Sequence, residues 1–409
     1  MSARAEAIMN DAQFAEIAAW ISNAGLAGQD EAATVTEFCR RLVALGVPLA
    51  RAQIFIDTLH PVYAGLGYYW EAVKGETRAT EYGPVVDDEA MARWRRSAFY
   101  HMIETGAATL RRRVTSESGA EFPFLGELYA AGMTDYLAVI DRFGADAIMG
   151  EMDGVYSSWV SDAPHGFTDE NIAALRRLTP CFSLAIKSAT LGRIAKTLVE
   201  TYLGRDPGRR VLEGSITRGK STSIEAVLWF SDLHGYTRIC DRVPPNEIIP
   251  FLSDYAETVI SAIHGEGGDV LKLIGDGTLA MFAGEDRTAS CRAALAAARA
   301  AFAQIAELRE RRDAGGLPAT DLYLGLHLGE VVYGNFGSRE RLDFTVVGPA
   351  VNEVSRIAGM CRLVDQPILA SSAFHAALGA EKDRLVSVGR YALRGVGQPQ
   401  DLYTLDRTG

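Results

Sequence analysis

The stretch that most constrains this chain is D-V-L-K-L-I-G-D-G-T-L-A-M-F, residues 269–282. Two apolar runs of strand type meet at a Gly-Asp-Gly turn, which is the pattern of an antiparallel hairpin. Parallel neighbours need crossovers on the order of a dozen residues, so this half is not a doubly wound parallel sheet. The flanks alternate in the same spirit. A strand over 224–231 leads to a helix over 246–264, broken by Gly265, Gly267 and Gly268, and an alanine-rich helix covers 287–313. L-Y-L-G-L-H-L (322–328), V-V-Y-G-N (331–335) and D-F-T-V-V-G (343–348) read as strands. A helix over 350–361, P-I-L-A-S (367–371) and short terminal strands complete the half. The order predicts an α+β architecture around a mixed sheet.

A chain of 409 residues suggests two domains or three, and 48% hydrophobic residues suffice for real cores. The net charge of −11 argues against nucleic acid as a partner. No run of about 18 apolar residues is free of charge, so no membrane span is expected. The opening M-S-A-R-A-E-A-I-M-N-D carries acids and no continuous apolar core, unlike a signal peptide. Cys39, Cys181, Cys240, Cys291 and Cys361 are widely spaced and odd in number. They suggest neither a metal cluster nor a disulfide framework, and fit a reducing, cytoplasmic setting.

The first half mixes helix and strand signals. Helices are expected over 13–22, 31–45 and 89–105, and strands over 51–59, 65–73, 136–142 and 154–162. Four of the five tryptophans, Trp20, Trp70, Trp94 and Trp159, fall here and suit a core. His60, His101 and His165 are candidate cofactor contacts, although a histidine among aromatics is more often structural. Thr168 caps a helix whose first turn carries acids. Pro180 should kink or restart it. Leu184, Leu191 and Leu198 recur every seven residues, with Ser188, Ala195 and Tyr202 four positions after each. That leaves two readings open, a short coiled-coil seam and one amphipathic helix on a core. The helix stops at Gly204, and G-R-D-P-G-R-R reads as a breaker.

Chemistry enters with the acids. V-L-W-F-S-D-L-H-G-Y-T, residues 227–237, ends its apolar run on Asp232 and turns at Gly235. A lone Asp at a strand end usually serves the turn. Asp276, exposed between two glycines of the hairpin, is a second acid on the same small sheet. Two carboxylates at one point would suit a hard cation such as Mg²⁺, which keeps substrate phosphates in its shell. Asn352 and Arg356 lie four apart on the helix over 350–361 and face the same way. An amide and a guanidinium so placed can hold a sugar and a phosphate.

Residues 223–407 resemble the class III nucleotidyl cyclase catalytic domain through F-S-D-L-H-G-Y-T, G-G-D-V-L-K-L-I-G-D-G, G-L-H-L-G-E-V-V-Y-G-N-F-G and F-T-V-V-G-P-A-V-N-E-V-S-R. The resemblance implies a ferredoxin-like mixed sheet with helices and a head-to-tail homodimer with active sites at the interface. It implies that Asp232 and Asp276 bind two Mg²⁺ (or Mn²⁺) ions per site. The turn Leu233, His234, Gly235, Tyr236 and Thr237 resembles the family's phosphate-contacting loop. The other chain would supply Lys272, Thr345, Asn352 and Arg356, with Asn352 and Arg356 catalytic. Arg394 falls near a basic triphosphate contact of the family. Pro349 stands where an acid is common, harmless at a helix start. Glu330 stands after a strand turn, where some relatives carry Arg.

Lys272 donates only, which suits adenine N1 and points to ATP. Thr345 would accept from the 6-amino group, where many members carry Asp. An adenylate cyclase is the leading reading. A guanylate cyclase and an idle nucleotide-binding or dimerisation module are the alternatives. W-V-S-D-A-P-H-G-F-T-D-E-N-I-A-A-L-R-R-L-T-P-C-F-S-L-A-I resembles the last strand and helix of GAF domains. That resemblance implies a sensor with a small-molecule ligand or cofactor. The expected organisation is a GAF-like α/β domain over 1–185, a helical linker over 186–220 and the cyclase domain over 221–409.

Overall fold

The computed structural model describes residues 9–83, 88–147 and 149–406, and the N-terminal segment 1–8 lies outside the described residues. The chain forms two compact units that divide after Leu198. Among the described residues no helix is long and apolar enough to cross a membrane.

The first unit runs α1 (Asp11–Leu26), α2 (Glu31–Ala44), β1 (Arg51–Asp57), β2 (Gly65–Glu71), β3 (Glu76–Tyr82), α3 (Asp88–Arg95), α4 (Ala98–Thr105), β4 (Thr109–Arg113), α5 (Ser118–Glu121), α6 (Pro123–Ala130), β5 (Asp135–Arg142), β6 (Gly154–Ser161) and α7 (Asp169–Leu203), whose residues 199–203 fall past the division. Its six strands pair in the order β3-β2-β1-β6-β5-β4, every pair antiparallel. Strand alternation divides the apolar residues between two faces. Ala52, Ile54, Ile56, Leu137 and Val139 pack with α1, α2 and α7. Tyr136, Ala138 and Ile140 pack with α4 and α6 on the other face.

The expected helix over 89–105 is two helices. Ser97 accepts a hydrogen bond from the Tyr100 N–H at 3.1 Å and starts α4 afresh. α7 runs unbroken through Pro180. Proline forfeits one backbone hydrogen bond, but buried Leu175, Leu178, Phe182 and Ile186 hold the flanking turns on the core. Those residues, and not a leucine every seventh position, form the buried stripe. Leu191 and Leu198 pack at its edge, whereas Leu184 is 68% exposed. Within the first unit this is the amphipathic-helix reading of the segment.

The second unit contains α8 (Arg205–Leu212), β7 (Ser221–Leu233), α9 (Tyr236–Cys240), α10 (Pro245–Gly265), β8 (Asp269–Ile274), β9 (Gly277–Ala283), α11 (Arg287–Ala314), β10 (Leu322–Gly337), β11 (Leu342–Val347), α12 (Pro349–Val364), β12 (Ile368–Ser371), α13 (Ser372–Ala377), β13 (Leu385–Tyr391) and β14 (Gln400–Leu405). The G-R-D-P-G-R-R stretch, expected to break structure, forms α8. Its Pro207 sits in the first turn, where a missing N–H costs nothing. Asp206 accepts from Arg210 Nε at 2.6 Å and from the Tyr333 hydroxyl at 2.8 Å, which ties the helix to β10.

The sheet order is β13-β14-β12-β10-β7-β9-β8, with β11 added on β10. β10 pairs parallel with β12 and antiparallel with β7, so the sheet is mixed. The two strands expected at 322–328 and 331–335 are one, because the β7 register continues through Gly329 and Glu330. Glu330 therefore follows no turn, and its carboxylate accepts from the Ser223 hydroxyl. Val227, Trp229 and Leu233 face α10 and α11. Ala226 and Leu228 face the α12 side with Ala350 and Val354.

Candidate active site

Asp232 is the penultimate residue of β7, opposite Tyr323 of β10. Ile274 pairs with Gly277, so Gly275 and Asp276 form a two-residue loop. Gly275 has φ +62°, a conformation a side chain would strain. β7 sets Ser231 opposite Thr278 of β9, which carries the hairpin tip to the end of β7. A Cβ on Gly277 would lie 3.0 Å from the Ser231 carbonyl and 3.7 Å from Asp232 Oδ1, so glycine permits the approach.

The two carboxyls meet there. The Asp232 carboxyl is pushed up to about 7, first by partial burial and then by its hydrogen bond to Asp276 and that group's charge. The Leu233 N–H donates to Asp276 Oδ2 at 3.2 Å. Among the described residues no set of three or more His, Cys, Asp or Glu could hold a metal ion. A cation at this point would rest on the two carboxylates, with backbone, solvent or substrate oxygens completing its shell. An all-oxygen, doubly acidic donor pair fits Mg²⁺ or Mn²⁺.

The loop after Asp232 is held at His234 through both its backbone groups. The His234 N–H donates to the Asp321 carbonyl at 2.8 Å, and the Thr320 hydroxyl donates to the His234 carbonyl. The His234 ring lies 4.9 Å from that of Tyr323, and Tyr236 stacks on Phe251 at 6.4 Å. Gly235 turns the chain with φ +68°, and Thr237 stands exposed in α9.

Lys272 on β8 reaches across to Asp343 on β11 and pairs with its carboxylate. Thr345, 7% exposed, lies two residues along the same strand and therefore on the same face. Asp343 was not a sequence candidate. The signal was present in L-D-F-T, where alternation puts the acid beside the threonine.

On α12, Val354, Ile357 and Cys361 are buried and the opposite face carries exposed Asn352 and Arg356. Among the described residues neither side chain has a hydrogen-bonding or ionic partner. Arg394 is exposed between β13 and β14, and the sheet order places β12 and β10 between β14 and β7. The structure thus brings Asp232 to Asp276, and Lys272 to the face of Thr345, and leaves Arg394 with neither pair. The cleft beside Asp276, bounded by Leu252 and Ala256 of α10, holds about 160 Å³. Small-molecule sites span roughly 300–1,000 Å³.

Residues 220–407 match the family described as the adenylate and guanylate cyclase catalytic domain. This segment belongs to that family, and the chain carries a class III cyclase domain there. An adenylate cyclase of Anabaena cylindrica is 34% identical over 148 residues, 36% of this chain and 30% of that protein. Adenylate cyclase 1 of Rhizobium meliloti is 29% identical over 178 residues, 42% of this chain and 26% of that one. The chain thus spans about a quarter to a third of these relatives' lengths. The crystal structure of the adenylyl cyclase CyaB from P. aeruginosa superposes on 46% of this chain and 97% of that chain, with TM-score 0.42 and 22% identity.

Proposed function

We propose that the chain is an adenylate cyclase, converting ATP to 3′,5′-cyclic AMP and pyrophosphate in sites shared by two copies. The observation that carries this reading is the meeting of the Asp232 and Asp276 carboxyls at the hairpin tip. Two Mg²⁺ or Mn²⁺ ions held by these carboxylates and the nucleotide phosphates would neutralise charge and ease loss of the ribose 3′ proton. The 3′-oxygen attacks the α-phosphorus in line, a new P–O bond forms, and the bond to the β-phosphate breaks.

The side chains divide the remaining work. Asn352 holds the ribose in attack geometry. Arg356 donates to the α-phosphate as its charge grows. Lys272 donates to adenine N1, and Thr345 accepts from the 6-amino group. The loop Leu233 to Thr237 lies against the phosphates. Two features support a second copy. The cleft beside Asp276 is below the size of a nucleotide site. Exposed apolar residues flank both half-sites, with Leu273 and Ile274 beside Asp276 and Phe336 and Val347 by the β10–β11 pair. The first unit is read as a GAF-like regulatory domain.

The test is cyclic nucleotide formation from ATP and from GTP with Mg²⁺. ATP should be the better substrate, and Asp232→Ala or Asp276→Ala should abolish turnover with the circular dichroism spectrum intact. Near wild-type rates in either variant would sink the two-carboxylate assignment. A preference for GTP would overturn the role given to Lys272.

A further inference from the structure

The first unit carries a partly open cavity of about 650 Å³ between its sheet and the α4 and α6 side. β1 explains the lining. Ala52, Ile54 and Ile56 go to one core, so alternation sends Gln53, Phe55 and Asp57 to the opposite face. There Phe55 meets the rings of Tyr69, Tyr82 and Phe99 edge-on at 5.7, 6.2 and 6.0 Å. Trp94 and Tyr156 add further aromatic wall. The cavity is already within the size range of small-molecule sites.

Its charge is one-sided. Asp57 and Glu151 line the cavity, and no Lys or Arg does so among the described residues. The Tyr82 hydroxyl donates to Asp57 Oδ1 at 2.7 Å. Burial, and then the charges of Asp153 and Glu151, raise the Asp57 pKa against that hydrogen bond. Arg78, the cation on the neighbouring strand, lies over the Tyr69 ring at 5.7 Å. Asp153 accepts from the Tyr156 hydroxyl at 2.8 Å.

We propose that this cavity binds an organic cation, an amine or quaternary ammonium with an aromatic or alkyl body, with the charge against Asp57 and the body among the rings. Aromatic faces attract cations most strongly where water is excluded. Asp57 is half-buried, and a carboxylate so placed without a counter-charge carries a desolvation cost that a cationic guest offsets. A neutral guest leaves it in place, and an anionic guest adds repulsion. Both the apolar volume and the sign of the field are thereby used.

Binding here stands or falls apart from the cyclase reading, because it is measured without turnover. Calorimetric titration of the full chain with tryptamine, indole and indole-3-propionate compares three charges on one ring system. Tryptamine should bind at least tenfold more tightly than indole, with the propionate weakest. Asp57→Asn keeps an acceptor for Tyr82 and should bring tryptamine to the level of indole, leaving indole unchanged. Should that variant not fold, Glu151→Gln should weaken tryptamine by a smaller factor. Equal or tighter binding of indole or the propionate in the wild-type chain overturns the proposal. So does the absence of binding by all three at millimolar concentration.

Discussion

Lys272 on β8 and Asp343 on β11 form an ion pair on the strand face that also carries Thr345. The pair holds the lysine toward that face. In the adenylate cyclase reading Asp343 positions the Lys272 ammonium for adenine N1 and does not itself touch the base. Releasing the lysine should therefore cost selectivity more than turnover. Asp343→Ala is expected to lower kcat/KM for ATP about tenfold, equivalent to about 1.4 kcal/mol, and to narrow the ATP-to-GTP ratio. Asp343→Glu should restore part of it. A variant with unchanged kcat/KM on both nucleotides would remove Asp343 from the site.

Asp135 is a structural counterpart in the first unit. Its carboxylate is fully buried and accepts from Arg111 at 2.8 Å, Arg113 at 3.2 Å and the Phe167 N–H at 3.0 Å. Removing the carboxylate leaves the buried Phe167 N–H without its acceptor, whereas Arg111 and Arg113, 33% and 44% exposed, keep water. Asp135→Ala should destabilise this unit by about 2 kcal/mol, read as a lower urea midpoint by near-UV dichroism. A change under about 0.5 kcal/mol, the ordinary surface value, would contradict the account.

His327 gives the second unit an acid-side sensitivity. It is buried, with Nδ1 2.9 Å from Ser371 Oγ and 3.5 Å from Glu353 Oε1. Burial lowers its pKa, and the Glu353 charge opposes that only in part. The unfolded chain therefore takes up a proton near pH 6.5 that the folded chain refuses. Stability is held above about pH 6.5 and falls as pH drops toward the folded pKa. His327→Gln should flatten the slope of stability against pH below about 6.5. An unchanged slope would show that other groups set it.

The hairpin over 269–282, β7 and the long helices were legible because alternation, glycine turns and helical spacing all agreed there. β3, E-T-R-A-T-E-Y, was not, since it is an almost wholly exposed edge strand without an apolar face. T-L-R-R-R of β4 hid behind its arginines, two of which serve Asp135. α8 escaped because Pro and Gly read as breakers, whereas Asp206 fastens the segment through Arg210 and Tyr333. In the site, the acids at strand ends were readable one by one. The Lys272–Asp343 pair was not, because it joins strands 71 positions apart.

α7 extends as one helix from the first unit to Leu203. Two residues added to a helix rotate the chain beyond them by about 200° and shift it by about 3 Å. If the first unit regulates catalysis, a two-residue insertion after Ala195 should change the rate strongly, since errors of about 1 Å in placement can cost about a hundredfold. Removal of residues 1–220 should change the rate without abolishing it. Both variants turning over at the full-chain rate would end the regulatory reading.

The proposed composite site makes a prediction that a site built within one chain does not. Asp232 and Asp276 sit at the tip of β7 and the β8–β9 hairpin, whereas Asn352 and Arg356 project from the exposed face of α12. If each active site takes its aspartates from one copy and its α12 residues from the other, Asp232→Ala and Arg356→Ala damage opposite halves. Each homodimer then has two broken sites. A mixed dimer has one site carrying both lesions and one carrying neither. Mixing the two inactive chains should restore activity to at most half the wild-type value per mixed dimer, and to about a quarter overall if subunits exchange at random. Subunit exchange is followed by native mass spectrometry of differently tagged chains. Mixed dimers without cyclase activity would place the aspartates and Arg356 in the same chain's site.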